Sequence, residues 1–286
     1  MGAATDTLSD SISQTINNPL VIAVAVVAVL VGGLIAGVLS LVPLVGQLLS
    51  APVVAVSVAG IVGMAYVGAR DQTSASVSDY TATLSEHGTT VFLASLLKNV
   101  AVGVLLVVAG IVFLVVPVFV VGLGSAGASQ PGAADPRAFG ALLAGASVLF
   151  FLFFFLWVGV LLLAQTLFQF VDSAVVIGGK DVTGSLSESI DLFTESPGSV
   201  IAFSVLRGLL FLGMIVVVAL ASFVGSQIAD SLGVVFAAIG LLAGYPTVGT
   251  VAFVYEARYY MQRRPDAAES EGTPTRGGSQ ATRQTQ

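Results

Sequence analysis

Long apolar runs without a charged side chain constrain this chain more than any other feature of its sequence. Leu20–Val42 contains no charge, and it follows Pro19, a residue well suited to the first turn of a helix. About 20 apolar residues are enough for an α-helix to cross the roughly 30 Å hydrocarbon core of a bilayer. This run therefore predicts a membrane-spanning helix, and the pattern recurs along the chain.

The later apolar runs predict further spans. A tight break at residues 42–46 separates the first run from the second. The predicted spans after it are Leu48–Ala69, a helix from Val91 to beyond Pro117, Phe139–Gly179, Pro197–Phe223 and Leu232–Tyr255. Gly122–Arg137 is rich in Gly, Ala, Ser and Pro, which predicts a loop. Phe139–Gly179 is about twice as long as one crossing needs, so it holds either two spans or one helix that continues past the membrane.

An internal repeat decides between these alternatives. Arg70-Asp71-x-Thr73 is matched by Lys180-Asp181-x-Thr183. After a one-residue shift, the residues Glu86, Val91, Ser95, Leu97 and Lys98 are matched by Glu195, Val200, Ser204, Leu206 and Arg207. Similar duplicated units are most simply parallel copies, which requires an even number of crossings between them. Counting Phe139–Gly179 as one span satisfies this condition and gives six spans.

Polar segments lie between and outside the spans. Residues 72–90 and 182–195 carry apolar side chains at helical spacing, which predicts two amphipathic helices on the membrane surface. In the first helix, Val77, Tyr80 and Leu84 would lie against the membrane or bundle and Asp79 would face water. In the second helix, Leu186, Ile190 and Phe193 would lie against the membrane or bundle and Glu188 would face water. The predicted domains are a polar segment 1–18, a membrane domain 19–262 with repeat units of about 48–117 and 139–223, and a disordered tail 263–286. The fold class is an all-α, polytopic membrane helix bundle with a parallel repeat.

Basic residues near the ends of the spans predict the orientation. With six spans, all basic residues but one fall on one side, namely Arg70, Lys98, Lys180, Arg207, Arg258 and every Arg after it, and only Arg137 falls on the other. Cytoplasmic segments carry the excess of Lys and Arg. We therefore expect a multi-pass protein of the cell membrane with both termini in the cytoplasm.

Composition excludes several classes of protein. Only 9% of the residues are charged, against about 25% in soluble domains, and 10 basic residues face 16 acidic ones, so no nucleic-acid partner is expected. There is no Cys and a single His, His87, so we expect no metal site. We expect no cofactor at Gly122-x-Gly124-x-x-Gly127, because no strand precedes this glycine motif. In the motif Ser95-x-x-Lys98, the residue of the second repeat that matches Lys98 is Arg207. Arginine cannot act as a base, so we do not expect a catalytic Ser–Lys pair.

Four charged residues lie inside or near the spans at similar depth: Lys98, Asp172, Arg207 and Glu256. Charges at membrane depth are costly, so they pair with one another or line a hydrated cavity. A structural ion-pair cluster that ties the two repeats together is the first interpretation. A polar vestibule for an ion or solute is the second, and snorkelling of Lys98 and Arg207 to the interface is the third.

The 16 acidic residues face only two Lys, Lys98 and Lys180, a balance that suits concentrated salt and indicates a halophilic archaeon. Four further features complete the pattern: Gly63-Met64-Ala65 at the end of a span, Thr73 before the first surface helix, the junction 169–180 and the closing segment 251–260. Over residues 15–262 the chain resembles an uncharacterised haloarchaeal family of integral membrane proteins, a domain of unknown function. More distantly it is similar to the membrane domain attached to some glycerophosphodiesterases, but it lacks their catalytic residues.

Two hypotheses for the function follow. The first is a non-enzymatic structural or accessory component of the membrane, with the lipid bilayer as a partner; the sequence names no protein partner and no substrate. The alternative is a transporter or permease with a polar site between the two repeats. A dry, paired cluster of the four charged residues favours the first hypothesis, and a hydrated, open cluster favours the second.

Overall fold

The structure is a computed structural model that describes residues 2–43, 45–70, 75–128 and 136–265. Within these residues the chain is helical and forms no strand, which confirms the all-α fold class. The helices in chain order are α1 (Gly2–Asn17), α2 (Pro19–Ser40), α3 (Val45–Arg70), α4 (Val77–Ala128), α5 (Pro136–Leu167), α6 (Val171–Val176), α7 (Val182–Glu195), α8 (Pro197–Ile228) and α9 (Asp230–Arg263).

Six helical segments of the described chain are long and apolar enough to cross a membrane, as predicted. They are Pro19–Ser40, Leu48–Arg70, Val77–Ile111, Phe150–Val176, Pro197–Ile228 and Ser231–Arg263. Many of their large apolar side chains are exposed, because they would face lipid rather than water. The chain divides into two compact units, Met1–Leu97 with Gln169–Gln286 and, separately, Lys98–Phe168.

The first unit is built around two pairs of neighbouring helices, α2 with α3 and α8 with α9. The turn from α2 to α3 is tight, since the Gly46 N–H donates to the Val42 carbonyl at 2.9 Å and a Cβ at Gly46 would collide with the carbonyl oxygen of Leu39. The largest fully buried side chains of this unit include Tyr255, Tyr259 and Phe203. These residues lie on α8 and α9, close to the charged positions singled out by the sequence.

The polar N-terminal segment is a helix that packs on the rest of the unit. Thr7, Ser11 and Thr15 of α1 are buried along one face. Thr7 Oγ1 donates to Gln262 Oε1 of α9 at 2.8 Å. Arg258 of α9 in turn donates from its Nε to Gln14 Oε1 at 2.5 Å. Helix α1 therefore holds the C-terminal part of α9 through polar contacts.

The predicted boundary between a first surface helix and the third span is wrong, because both belong to the continuous helix α4. Residues 77–97 contain no proline that would end a helix. The predicted loop Gly122–Arg137 is also too long. Helix α4 extends to Ala128 and α5 begins at Pro136, while residues 129–135 lie outside the described residues. Residues 118–130 contain no proline that would end the helix, although three of the seven residues at 122–128 are glycine, which lowers helix propensity.

Phe139–Gly179 is not one continuous helix. Helix α5 ends at Leu167, a turn follows at residues 168–170, and α6 begins at Val171. No Gly or Pro marks this break, and its cause is tertiary. Phe170 is fully buried, and its N–H donates to the side chain of Ser189 on α7 at 3.2 Å. A further stop follows α6, where Gly179 adopts a φ of 58° that favours glycine.

Helix α7 buries a largely polar face that the sequence did not predict. Its buried residues are Ser185, Ser189 and Leu192, whereas Ile190 is exposed. Glu188, which we expected in water, has a side chain only 14% exposed and contacts Arg264. The prediction that Glu188 faces water is therefore wrong, while the prediction that Leu186, Ile190 and Phe193 lie against the membrane or bundle stays a prediction. The predicted C-terminal tail lies, from residue 266, outside the described residues.

Candidate functional site

A buried ion pair joins α8 and α9, two helices that run side by side and are linked only through Ala229. Arg207 lies about three turns into α8, and its Nη1 donates to Glu256 Oε2 of α9 at 2.6 Å. The side chain of Glu256 is 5% exposed and that of Arg207 is 24% exposed. A charged hydrogen bond of this kind is about twice as strong as a neutral one, and here water is excluded from the acidic partner.

The second oxygen of Glu256 is also occupied. Ser173 on α6 is fully buried, and its hydroxyl donates to Glu256 Oε1 at 2.9 Å. Each carboxylate oxygen therefore accepts a hydrogen bond from a different helix. We call Arg207, Glu256 and Ser173 the ion-pair cluster, and it connects α6, α8 and α9.

The cation of the cluster has an aromatic neighbour. The guanidinium carbon of Arg207 lies 5.8 Å from the centre of the Phe253 ring, which is one turn before Glu256 on α9. A cation near the face of an aromatic ring is attracted by the ring quadrupole. The arginine is therefore fixed by a carboxylate and a ring, and the exposed quarter of its side chain leaves it partly accessible.

A second polar contact lies one turn earlier on α8. Ser204 Oγ is 2.9 Å from Gln169 Oε1 and 2.9 Å from the carbonyl oxygen of Val200. A hydroxyl has one proton and cannot donate fully to both acceptors, while Gln169 Nε2 is buried without a partner among the described residues. Exchanging the amide oxygen and nitrogen of Gln169 resolves both problems, because Nε2 then donates to Ser204 and Ser204 donates to Val200.

Aromatic side chains pack around these polar groups. Phe203 of α8 lies 4.5 Å from Tyr255 and 5.2 Å from Phe170 between ring centres, and Phe170 stacks on Tyr259 at 5.5 Å. All four rings are buried. They surround the backbone on either side of Glu256 with apolar surface, so the carboxylate sits in a medium where an unpaired charge would be costly.

Two of the four charged residues predicted from the sequence are thus brought together, Arg207 and Glu256. Asp172 lies beside Ser173 on α6, and its Oδ1 is buried without a hydrogen-bond partner in the described part of the chain. Lys98 opens the unit Lys98–Phe168, in which the only acidic residue of the sequence is Asp135, outside the described residues. The sequence did not single out Ser173 or Gln169, although the repeat marked Ser204.

A second group of charges lies where α7, α8 and α9 meet. Arg264 donates to both carboxylate oxygens of Glu195 at 2.8 and 3.0 Å and to Glu188 Oε1 at 2.5 Å. Lys180 Nζ is 3.8 Å from Glu188. The hydrogen bond from Arg264 lowers the pKa of Glu195, and the same contact raises the pKa of the arginine. Both groups are therefore charged near neutral pH.

These groups can form hydrogen bonds and compensate one another's charge. Across the residues that the structure describes, no group of three or more His, Asp or Glu side chains could hold a metal ion. The arrangement can stabilise a helix assembly, and it can bind a small charged species at the partly exposed Arg207.

The chain has been compared with protein families, curated proteins and solved structures. Neither the curated proteins nor the solved structures provide a match. A family model matches residues 3–263, which include all helical residues described above except Gly2. The chain therefore belongs to the family described as Domain of unknown function (DUF7847).

Proposed function

We propose that this membrane protein is a non-enzymatic structural or accessory component of the cell membrane, in which the ion-pair cluster holds α6, α8 and α9 in register. The bilayer is its main partner. The observation that carries the proposal is the state of Glu256: its side chain is almost fully buried, and each carboxylate oxygen accepts a hydrogen bond from a neighbouring helix. A carboxylate whose two oxygens both accept hydrogen bonds from within the protein suits a structural role.

The proposed topology has six spans and both termini in the cytoplasm. The basic residues at the ends of the spans support this orientation, because Arg70, Lys180, Arg258 and Arg263 then face the same side. The parallel repeat requires the same parity. One structural difference between the copies has a local cause. Pro197 begins α8 after α7, whereas the matching position in the first copy is Gly88, and there α4 continues.

The non-enzymatic part of the proposal rests on the sequence. Cysteine is absent and histidine occurs once, so the usual nucleophile and base pairs have few members. We further propose a haloarchaeal origin, based on the excess of acidic residues and the two lysines. The distant likeness to the membrane domain of glycerophosphodiesterases is also a proposal, and it carries no catalytic residue to this chain.

A transporter or permease is the second candidate function, and Asp172 is the observation that favours it. Its Oδ1 is buried with no hydrogen-bond partner among the described residues. Asp172 also precedes Ser173 of the ion-pair cluster, in which the side chain of Arg207 is partly exposed. Ionisable groups inside membranes commonly lie on ion or proton pathways. In this alternative Asp172 and Arg207 would contact the transported species.

One experiment separates the two candidates. Arg207→Ala, Asp172→Asn and the lipid-facing control Leu209→Ala are purified in detergent and also reconstituted in liposomes with a trapped pH-sensitive dye. The structural proposal predicts that Arg207→Ala lowers the unfolding temperature by several degrees, that the control does not, and that no variant changes the proton flux. If the parent conducts protons and Asp172→Asn abolishes the flux without lowering the unfolding temperature, the structural proposal is wrong.

A further inference from the structure

Where α8 begins and α9 ends, one arginine is surrounded by hydroxyl groups instead of carboxylates. Arg263 Nη1 donates to Ser196 Oγ at 3.2 Å, and its Nη2 donates to Ser199 Oγ. Its guanidinium carbon lies 5.5 Å from the centre of the Tyr259 ring. We call Arg263, Ser196, Ser199 and Tyr259 the Arg263 cluster.

The hydrogen-bond inventory of this cluster shows an excess of donors. A guanidinium has five N–H groups, of which two are used here. Ser199 Oγ also accepts the hydroxyl of Tyr259 at 2.7 Å, so both serine oxygens act as acceptors. Within the described residues, the hydroxyl protons of Ser196 and Ser199 have no acceptor of their own. The cluster therefore offers several hydrogen-bond donors that nothing in the described chain accepts.

The charge around the cluster is also uncompensated. The neighbouring carboxylates are those of Glu188 and Glu195, and both are bound by Arg264, with Lys180 close to Glu188. In the described part of the chain no carboxylate lies within 4.0 Å of Arg263. Two carboxylates thus face three cations, and Arg263 is the cation left without a negative charge.

The position of the cluster indicates what would bind there. Ser196, Ser199 and Arg263 are half-buried and accessible. They lie at the shared end of two candidate spans, Pro197–Ile228 and Ser231–Arg263, where lipid headgroups would begin if both helices cross a bilayer. Arginine binds phosphate oxygens through paired N–H groups, and Tyr is typical of the membrane interface.

We propose that the Arg263 cluster is a binding site for the phosphate of an anionic phospholipid headgroup. Arg263 supplies the charge and two or more N–H donors, Ser196 and Ser199 supply hydroxyl donors, and Tyr259 holds the guanidinium in place. This inference rests on the membrane setting proposed above, but it does not depend on the role of Arg207 and Glu256.

The test measures the unfolding temperature of the full chain in neutral detergent as short-chain phosphatidylglycerol is added. Phosphatidylcholine and inorganic phosphate are added in parallel. The parent should be stabilised in a saturable way by phosphatidylglycerol, and at least about tenfold more lipid should be needed for Arg263→Gln. The matched control Lys180→Gln removes a more exposed cation from the same end of the helices and should keep the parental response.

Three results would overturn the proposal. Equal responses of Arg263→Gln and the parent would show that the cluster does not bind the lipid. An equal loss in Lys180→Gln would indicate general attraction between charges. Saturation by inorganic phosphate at the same concentration as the lipid would assign the site to a free anion. If Arg263→Gln does not fold, Arg263→Lys and Ser196→Ala replace it. Each should weaken the response severalfold, because the paired N–H groups or one hydroxyl donor are lost, and a parental response in both would reject the site.

Discussion

Removing the cation from the ion-pair cluster should destabilise the protein more than neutralising the acid does. Arg207→Met keeps a long apolar side chain on α8 but removes the guanidinium that donates to the Glu256 carboxylate, whose side chain is 5% exposed. Breaking a buried ion pair from one side costs about 3–5 kcal/mol. Arg207→Met should therefore lower the free energy of unfolding by about that amount.

Glu256→Gln should cost less, for a reason visible in the structure. The amide oxygen can still accept the hydrogen bond of Ser173, and Arg207, whose side chain is 24% exposed, keeps its contact with Phe253 and some hydration. We expect a loss of about 1.5–3 kcal/mol, the range for one hydrogen bond to a charged group. The double variant should lose less than the sum of the single losses, by about 1–3 kcal/mol.

The assay is unfolding of the detergent-solubilised variants by sodium dodecyl sulfate, followed by circular dichroism. Leu209→Ala, a change at an exposed leucine two positions further along α8, serves as the control. The reasoning is refuted if Arg207→Met stays within about 0.5 kcal/mol of the parent, or if the losses of the two single variants simply add.

Three further predictions test other parts of the structure. Gly63→Ala should lower the free energy of unfolding by about 1–3 kcal/mol, because the added Cβ would lie 2.8 Å from Thr83 Cβ on α4. Gly33→Ala is the control, since its added Cβ would lie in open space and should change stability little; equal unfolding temperatures of the two variants would contradict this packing. The Glu195–Arg264 contact should stabilise the protein fully above the pKa of Glu195 in the unfolded chain, about 4.3. This stabilisation should disappear as the pH falls through the lowered pKa of Glu195 in the folded protein. Glu195→Gln should therefore remove this step from the profile of unfolding temperature against pH. Because acidic residues outnumber basic ones 16 to 10, the unfolding temperature should rise between about 0.2 M and 2 M KCl; a fall would contradict the halophilic interpretation.

The spans could be predicted because membrane insertion depends on length and polarity, which the sequence displays directly. The first span differs from α2 by only one or two residues at each end, and the break at residues 42–46 lies where α2 gives way to α3. Pro197, at the first turn of α8, likewise marks in the sequence where that helix begins. These features are local, so a single sequence contains them.

The missed features depend on tertiary contacts. The turn at residues 168–170 has no Gly or Pro, and it exists because Phe170 is buried among aromatic rings while Ser189 binds its N–H. Glu188 looked solvent-exposed by helical spacing, but Arg264 draws it inward from the end of another helix. Spacing along one helix does not record which partner lies opposite.

The site shows the same division. The depth of Arg207 and Glu256 within their spans indicated charges that require partners, and depth can be counted from a sequence. The second hydrogen bond to Glu256, from Ser173, could not be predicted from the sequence. It depends on the short helix α6 turning its buried face toward α9. The relation of Lys98 to Arg207 rests on the repeat and stays a prediction.

The central claim is a six-span protein with both termini on the cytoplasmic side, and accessibility of single cysteines in intact cells tests it most directly. The chain has no native cysteine, so Ser78→Cys, Thr183→Cys, Gly272→Cys and Arg137→Cys can each be labelled alone. The account predicts that a membrane-impermeant maleimide labels position 137 from outside and the other three only after the membrane is opened. Opposite accessibility of positions 78 and 183 would contradict the six-span topology and the parallel repeat together.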